Sequence, residues 1–242
     1  VVLTVSDGVP VGTINTPDGV IYLRDQANHS VVLDSSEEPG IAAGFHDDMR
    51  VPPVVEGVAA SARDLPIAMR SAGRTVVDVM VLYDSEMAGL TGSIDAKIDN
   101  LIVTSNTAYA DSGINVELRL VHKEQVSYAN SLSNGTALDA LTYNEGVFSG
   151  LETERTDLGA DLAVMLRAFD SSAHGGCGVA WVGGAGGSSI SPRYGYSVVS
   201  YGTDRPNPQP GQGYYFCSDY SFAHELGHNM GSAHDRANSS VA

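Results

Sequence analysis

The chain has 242 residues, 29 of them acidic and 13 basic, for a net charge of −16. Apolar residues make up 43% and charged ones 17%, enough to bury a sizeable core, which excludes a disordered or collagen-like chain. The acidic balance repels phosphate backbones and argues against nucleic-acid binding. No apolar run approaches the roughly 18 residues of a membrane-spanning helix.

Val1 rather than Met opens the chain, with no basic-then-apolar leader, so either a targeting segment has been removed or the sequence starts late. Residues 1–34 read as a small β unit. Val1–Val5, Val11–Ile14, Val20–Leu23 and Val31–Leu33 are short apolar runs separated by Ser6-Asp7-Gly8 and Pro17-Asp18-Gly19. Asp-Gly between apolar runs is a hairpin signal. Few large side chains are available there, so this unit is expected to lean on the rest of the chain. A soft linker follows, opened by Ser35-Ser36-Glu37-Glu38-Pro39-Gly40, stiffened by Pro52-Pro53 and dotted with Arg63, Arg70 and Arg74. Lysine and cysteine occur only beyond residue 74, which sets the boundary between residues 1–74 and 75–242.

From Thr75 the pattern becomes strand–helix alternation. Thr75–Tyr83 is a near-continuous apolar run, as expected of a strand covered on both faces. Ile94–Ser112 carries apolar residues at helical spacing and stops at Gly113. Val116–Val121 alternates as a strand, Ala137–Tyr143 is a short helix, and Leu162–Leu166 is a buried strand. Gly178–Val182 is a short strand within the glycine-rich stretch Gly175–Ser189, Tyr196–Tyr201 is another strand, and Tyr220–Met230 is a helix. The expected fold class is α/β: a twisted, mostly parallel sheet with helices packed on it.

Residues 224–235 carry the chemistry: His-Glu-Leu-Gly-His-Asn-Met-Gly-Ser-Ala-His-Asp. His224 and His228 are four apart, so a helix projects both imidazoles from one face. Glu225 stands one step round from His224, beside a metal without ligating it. Gly231 ends the helix by taking the left-handed turn and brings His234 back as a third ligand. Three imidazoles leave a fourth position on Zn2+ for water. A zinc site that only holds the fold favours four protein ligands and cysteine. His122 and His174 read as ordinary, the first solvated beside Lys123, the second in a loop before Gly175. Gly183–Gly187 lacks the Lys-Ser/Thr of a phosphate loop and reads as flexible.

The segment resembles the metzincin metallopeptidases, and Asp235 after the third histidine resembles the reprolysin (adamalysin) branch. Gly178-Val179-Ala180-Trp181-Val182-Gly183 is similar to that branch's antiparallel edge strand above the zinc, and Tyr196-Ser197-Val198-Val199 to the strand after it. The likeness covers residues 75–242, and the small N-terminal β unit and two cysteines look most like bacterial secreted enzymes of the flavastacin (peptidyl-Asp metalloendopeptidase) type. The resemblance implies a secreted, monomeric, zinc-dependent endopeptidase. His224, His228 and His234 would hold one Zn2+, Glu225 would be the general base, and a peptide would pair along Gly178, Val179 and Ala180. Calcium is a further expectation with no motif behind it. In a secreted enzyme Cys177 and Cys217 are expected to form a disulfide.

Residues 1–74 would be an inhibitory pro-segment, released by cleavage after Arg70 or Arg74. No cysteine precedes Cys177, so a cysteine switch is excluded. Phe45-x-x-Asp48 is similar to the aspartate switch of astacin-type metzincins, although Asp47 stands where that pattern has Gly. The expected latency ligand is Asp48, then Asp47 or His46; the alternative is a solvated acidic linker. Metzincins also have a methionine turn tens of residues beyond the third histidine. Ala242 lies eight residues past His234, so the parent protein is expected to continue. The competing reading is a metzincin-like module that holds zinc without turnover.

Overall fold

The computed structural model describes residues 1–6, 8–26, 29–34, 40–42, 48–53, 73–185, 190–204 and 214–234. The N-terminal unit is a four-stranded antiparallel meander, β1 (Val2–Ser6), β2 (Val9–Thr16), β3 (Gly19–Gln26) and β4 (His29–Asp34). β1 matches its apolar run in length, displaced by one residue, whereas β2 and β3 are each four residues longer than their runs and β4 three, because ladder hydrogen bonds continue through the polar positions flanking the turns.

The rest is built on an eight-stranded sheet. Four strands are parallel neighbours: β8 (Val116–Gln125), β7 (Thr75–Tyr83), β9 (Leu162–Ala168) and β11 (Tyr196–Thr203). Alternate residues of β7 enter two separate cores. Val79 and Val81 pack with α2 (Ile94–Asp111) and with Phe222 and Leu226 of α5 (Tyr220–Asn229). Met80 and Leu82 pack on the opposite face with Leu138 and Leu141 of α3 (Asn134–Thr142) and with Leu151, which opens α4 (Leu151–Asp157). Burial on both faces is why this strand reads as an unbroken apolar run. Ser93 and Ser133 cap α2 and α3 by accepting from Ala96 N–H and Thr136 N–H at 3.2 and 3.1 Å. Strand β8 runs four residues beyond the Val116–Val121 alternation. The ladder slips at Val121, where Val79 pairs Leu120 but Met80 pairs His122. A bulge there breaks the alternation without ending the strand. Helix α1 (Ser85–Leu90) and α4 are too short to show a helical period, and both escape the sequence reading.

Two antiparallel strands lie end to end along the far side of β11. β10 (Gly178–Trp181) pairs its first half, and β12 (Tyr214–Cys217) pairs its end. Cys217 sits opposite Gly202 and Gly178 opposite Val199, so the two strands nearly abut. The Cys177–Cys217 disulfide joins them at that junction. Closing a loop over the 40-residue separation is worth about 4 kcal/mol in the chain-entropy model. Neither strand is the outer edge. β5 (Gly40–Ala42) runs parallel to β12, and β6 (Met49–Arg50) runs parallel to β10. β5 and β6 therefore both run in the same direction along the outer side of the sheet.

The N-terminal unit grips the start of α5. Asp219, immediately before that helix, accepts from Lys97 Nζ at 2.9 Å and from Thr13 Oγ1 at 3.1 Å. Arg24 stacks over Tyr201, with its Cζ 4.8 Å from the ring centre, and Asn100 Nδ2 donates to Thr4 Oγ1 and Val11 O. Burial would raise the Asp219 carboxyl, but the Lys97 and Arg24 charges and the two hydrogen bonds hold it below its ordinary 3.8. Its contribution to stability is thus full above the unfolded value and is lost as pH falls through the depressed one. Lys97→Met, which leaves Asp219 buried without its ammonium, is expected to cost about 3 kcal/mol in urea unfolding. An unchanged midpoint would show that Arg24 alone balances this carboxylate.

Candidate metal and active site

Helix α5 places His224 and His228 on one face, with ring centres 4.5 Å apart. The helix stops at Met230, and Gly231 takes φ +100°. A side chain there would be strained in φ and would also meet the Gly183 carbonyl. The reversal carries His234 back, its ring centre 5.2 Å from that of His224 and 5.0 Å from that of His228.

The three Nε2 atoms converge. His224 Nε2 lies 3.0 Å from His228 Nε2 and 3.1 Å from His234 Nε2. Asp48 completes the cluster, with Oδ2 3.0 Å from His224 Nε2, and Oδ1 3.1 Å from His234 Nε2 and 3.8 Å from His228 Nε2. His228 Nδ1 donates to the Ser232 carbonyl at 2.7 Å, which turns the lone pair of a neutral ring at Nε2 toward the cluster. Burial lowers the His228 pKa and favours that neutral ring. Converging imidazole nitrogens with lone pairs facing inward repel one another, and a cation among them removes the conflict. Zinc–nitrogen bonds of 2.0–2.1 Å give a tetrahedron with edges of roughly 3.4 Å. The ligand-atom separations, 3.0 to 3.8 Å, bracket that value. The donor set fits zinc.

Glu225 is fully buried, and both carboxylate oxygens lack a hydrogen-bond partner among the described residues. It packs against Gly178 so closely that a Cβ there would strike the carboxylate. Burial first, then the charge of Asp48, raise its pKa well above the usual carboxylate range. For Asp48 itself burial pulls upward, but the hydrogen bond from His224 and the three histidines hold the carboxyl below its ordinary value.

The edge expected to be free along Gly178, Val179 and Ala180 is covered. Ala180 N–H donates to the Asp48 carbonyl and Val182 N–H to the Arg50 carbonyl, both at 2.8 Å. The solvated-linker alternative does not hold at Asp48, which is 2% exposed. Asp47, His46 and Asp235 lie outside the described residues, as does Phe45. His174 is a buried structural residue, away from the cleft. It accepts from Ser200 Oγ and donates to the Asn130 carbonyl, each at 2.8 Å, and burial lowers its pKa to about 4. His122 is not fully solvated: it shares a partly exposed group with Glu124 and Glu154, each carboxylate 3.8 Å from Nε2. That group and the Asp48–histidine cluster are the two metal-competent groups among the described residues, and calcium has no further support.

Sequence reasoning missed Asn229. Its side-chain amide donates to the carbonyls of Trp181 and Tyr196 at 3.0 and 2.9 Å, pinning α5 to β10 and β11. Its place directly after His228 was the available signal.

Residues 73–242 match the family described as metallo-peptidase family M12B, reprolysin-like. The chain belongs to that family. Curated relatives agree. A peptidyl-Asp metalloendopeptidase of Pseudomonas aeruginosa is 32% identical over 178 residues, covering 70% of this chain and 28% of its own length. One from Stenotrophomonas maltophilia is 25% identical over 242 residues, covering 98% of this chain and 52% of its own length. The chain thus spans about half or less of the curated relatives it matches. A solved structure described as a chaperone-substrate complex is similar in fold, with a TM-score of 0.50 and 20% identity over 67% of this chain and 24% of that one. No helix among the described residues is long and apolar enough to cross a membrane.

Proposed function

We propose that this chain is the latent form of a secreted, monomeric zinc-dependent endopeptidase. Residues 1–74 act as its intramolecular inhibitor, and residues 75–242 carry the metal ligands and the general base. One observation carries the latency reading: Asp48 stands as a fourth ligand group beside the three histidines while Met49–Arg50 takes the strand position beside β10. That arrangement occupies both the fourth ligand position and the peptide-binding edge.

His224, His228 and His234 would hold the Zn2+, which when bound polarises a scissile carbonyl and acidifies water toward a pKa of about 7. Once the arm has left, the exposed main chain of β10 aligns an extended peptide by strand addition. Glu225 accepts the proton of the attacking water and delivers it to the departing amine. Burial first, and then the Asp48 charge, oppose ionisation of Glu225 in the latent form. The relatives' names suggest peptide bonds flanking aspartate as the substrate class.

A zinc-holding module without turnover is the competing reading, and the buried Glu225 speaks against it. A carboxylate desolvated with no hydrogen-bond partner among the described residues costs stability, which a purely structural site has no reason to carry. Asp48→Ala decides between them. In the full chain loaded with zinc, hydrolysis of a quenched aspartyl peptide is expected to rise at least about tenfold over the unaltered chain, since a charged ligand is lost. Asp18→Ala, on the exposed β2–β3 turn, should leave the basal rate unchanged. Zinc retained with no hydrolysis in Asp48→Ala would favour the binding module.

A further inference from the structure

The arm that covers the cleft also shows what the cleft can hold beside the metal. Met49–Arg50 pairs with β10 as a strand, with Arg50 opposite Trp181. The Arg50 side chain lies in an open, half-exposed recess lined on three sides, its own side chain 35% exposed and that of Asp139 44%. Its Nη1 donates to Asp139 Oδ1 at 2.6 Å. Its Cζ lies 5.9 Å from the Trp181 ring centre. Gly135, at the start of α3, forms the third wall, where a Cβ would strike the guanidinium.

The recess is built independently of the arm. Trp181 donates its Nε1–H to Thr142 Oγ1 at 2.8 Å and meets Tyr194 edge-on at 5.1 Å, neither of them part of the arm. Helix α3 fixes Gly135 and Asp139 one turn apart. When the arm leaves, Asp139 loses its cation, and a carboxylate remains beside an indole face at the rim of the peptide-binding edge. A carboxylate and an aromatic face together select a cation. In strand addition, main-chain pairing supplies affinity and side-chain recesses supply selectivity.

We infer that Asp139, Trp181 and Gly135 form a substrate subsite selective for a basic side chain, preferably arginine. The residue it takes stands two positions along the extended peptide from the one at the metal, as Arg50 stands from Asp48. The subsite rests on the endopeptidase reading for its biological use, but its binding selectivity can be read separately. Gly135 leaves room for the broad guanidinium, and the ring stacks on a planar cation better than on an ammonium.

Trp181 is the chain's single tryptophan, so intrinsic fluorescence reports on the recess itself. The full chain carrying Asp48→Ala and Arg50→Ala is titrated with aspartyl peptides in which Arg, Ala or Glu is scanned through the positions either side of Asp. Cleavage of the same peptides is followed with zinc present. One position should show Arg-selective quenching of Trp181, with binding about tenfold tighter than for Ala. Asp139→Asn should abolish that preference, and Asp139→Lys should transfer it to Glu. Cleavage with no dependence on Arg at any position, or a preference unmoved by Asp139→Lys, overturns the subsite and leaves the peptidase reading intact. Arg-selective quenching with no cleavage of any peptide keeps the subsite and removes the peptidase reading. Absence of selective quenching overturns the subsite whatever the cleavage result.

Discussion

Glu225→Gln is expected to retain zinc yet hydrolyse peptides about 10³- to 10⁴-fold more slowly, the upper range of a general base's contribution. The substitution keeps the side-chain shape, so the close contact with Gly178 survives. It removes the only chemistry a carboxylate adds there, acceptance of a proton. An amide cannot take the proton of the attacking water at neutral pH. Both Glu225 oxygens are buried without hydrogen-bond partners among the described residues, so a neutral amide should fold at least as well, and a stability loss cannot stand in for a catalytic one. The measurement is the hydrolysis rate of a quenched peptide by the Asp48→Ala chain with and without Glu225→Gln, alongside metal content. Near-full activity in the double variant would end the assignment of Glu225 as base.

His228→Ala should strip the metal. His228 is the most enclosed of the three histidines, with its side chain 3% exposed against 29% for His224 and 15% for His234. Its ring is also oriented by the Ser232 carbonyl. Loss of an outer partner of a metal ligand costs 10- to 100-fold in affinity, so loss of the ligand itself should weaken binding by more than about 100-fold. Zinc would then leave on dialysis against a mild chelator that the unaltered chain resists, and thermal stabilisation by added zinc would disappear with it. Ser232 offers the control. Its carbonyl belongs to the backbone, so Ser232→Ala should leave zinc content unchanged. Stoichiometric zinc in dialysed His228→Ala would place the metal elsewhere, the His122, Glu124 and Glu154 group being the alternative among the described residues.

The sequence alone determined whatever depends on near neighbours in the chain. Two histidines four apart face one way on any helix, and Gly231 marks the reversal because few other residues tolerate its φ of +100°. Thr75–Tyr83 reads as a buried strand because both of its faces meet helices. These signals are periodic or conformational, so a window of ten residues contains them. Strands β5 and β6 contain three and two residues, too few for any period, and exist only because a preformed edge offers them main-chain partners. Asp48 stands 176 positions from His224. The phenylalanine–aspartate spacing singled it out, but only the course of the arm along β12 and then β10 brings its carboxylate to the histidines. Lys97 with Asp219, 122 positions apart, and Arg50 with Asp139, 89 apart, are pairings of the same kind. A charge in a sequence carries no record of whether water or another side chain will balance it. That is set by which surfaces the sheet and helices bring together, and here tertiary packing set the Asp48 carboxylate against His224 and His234.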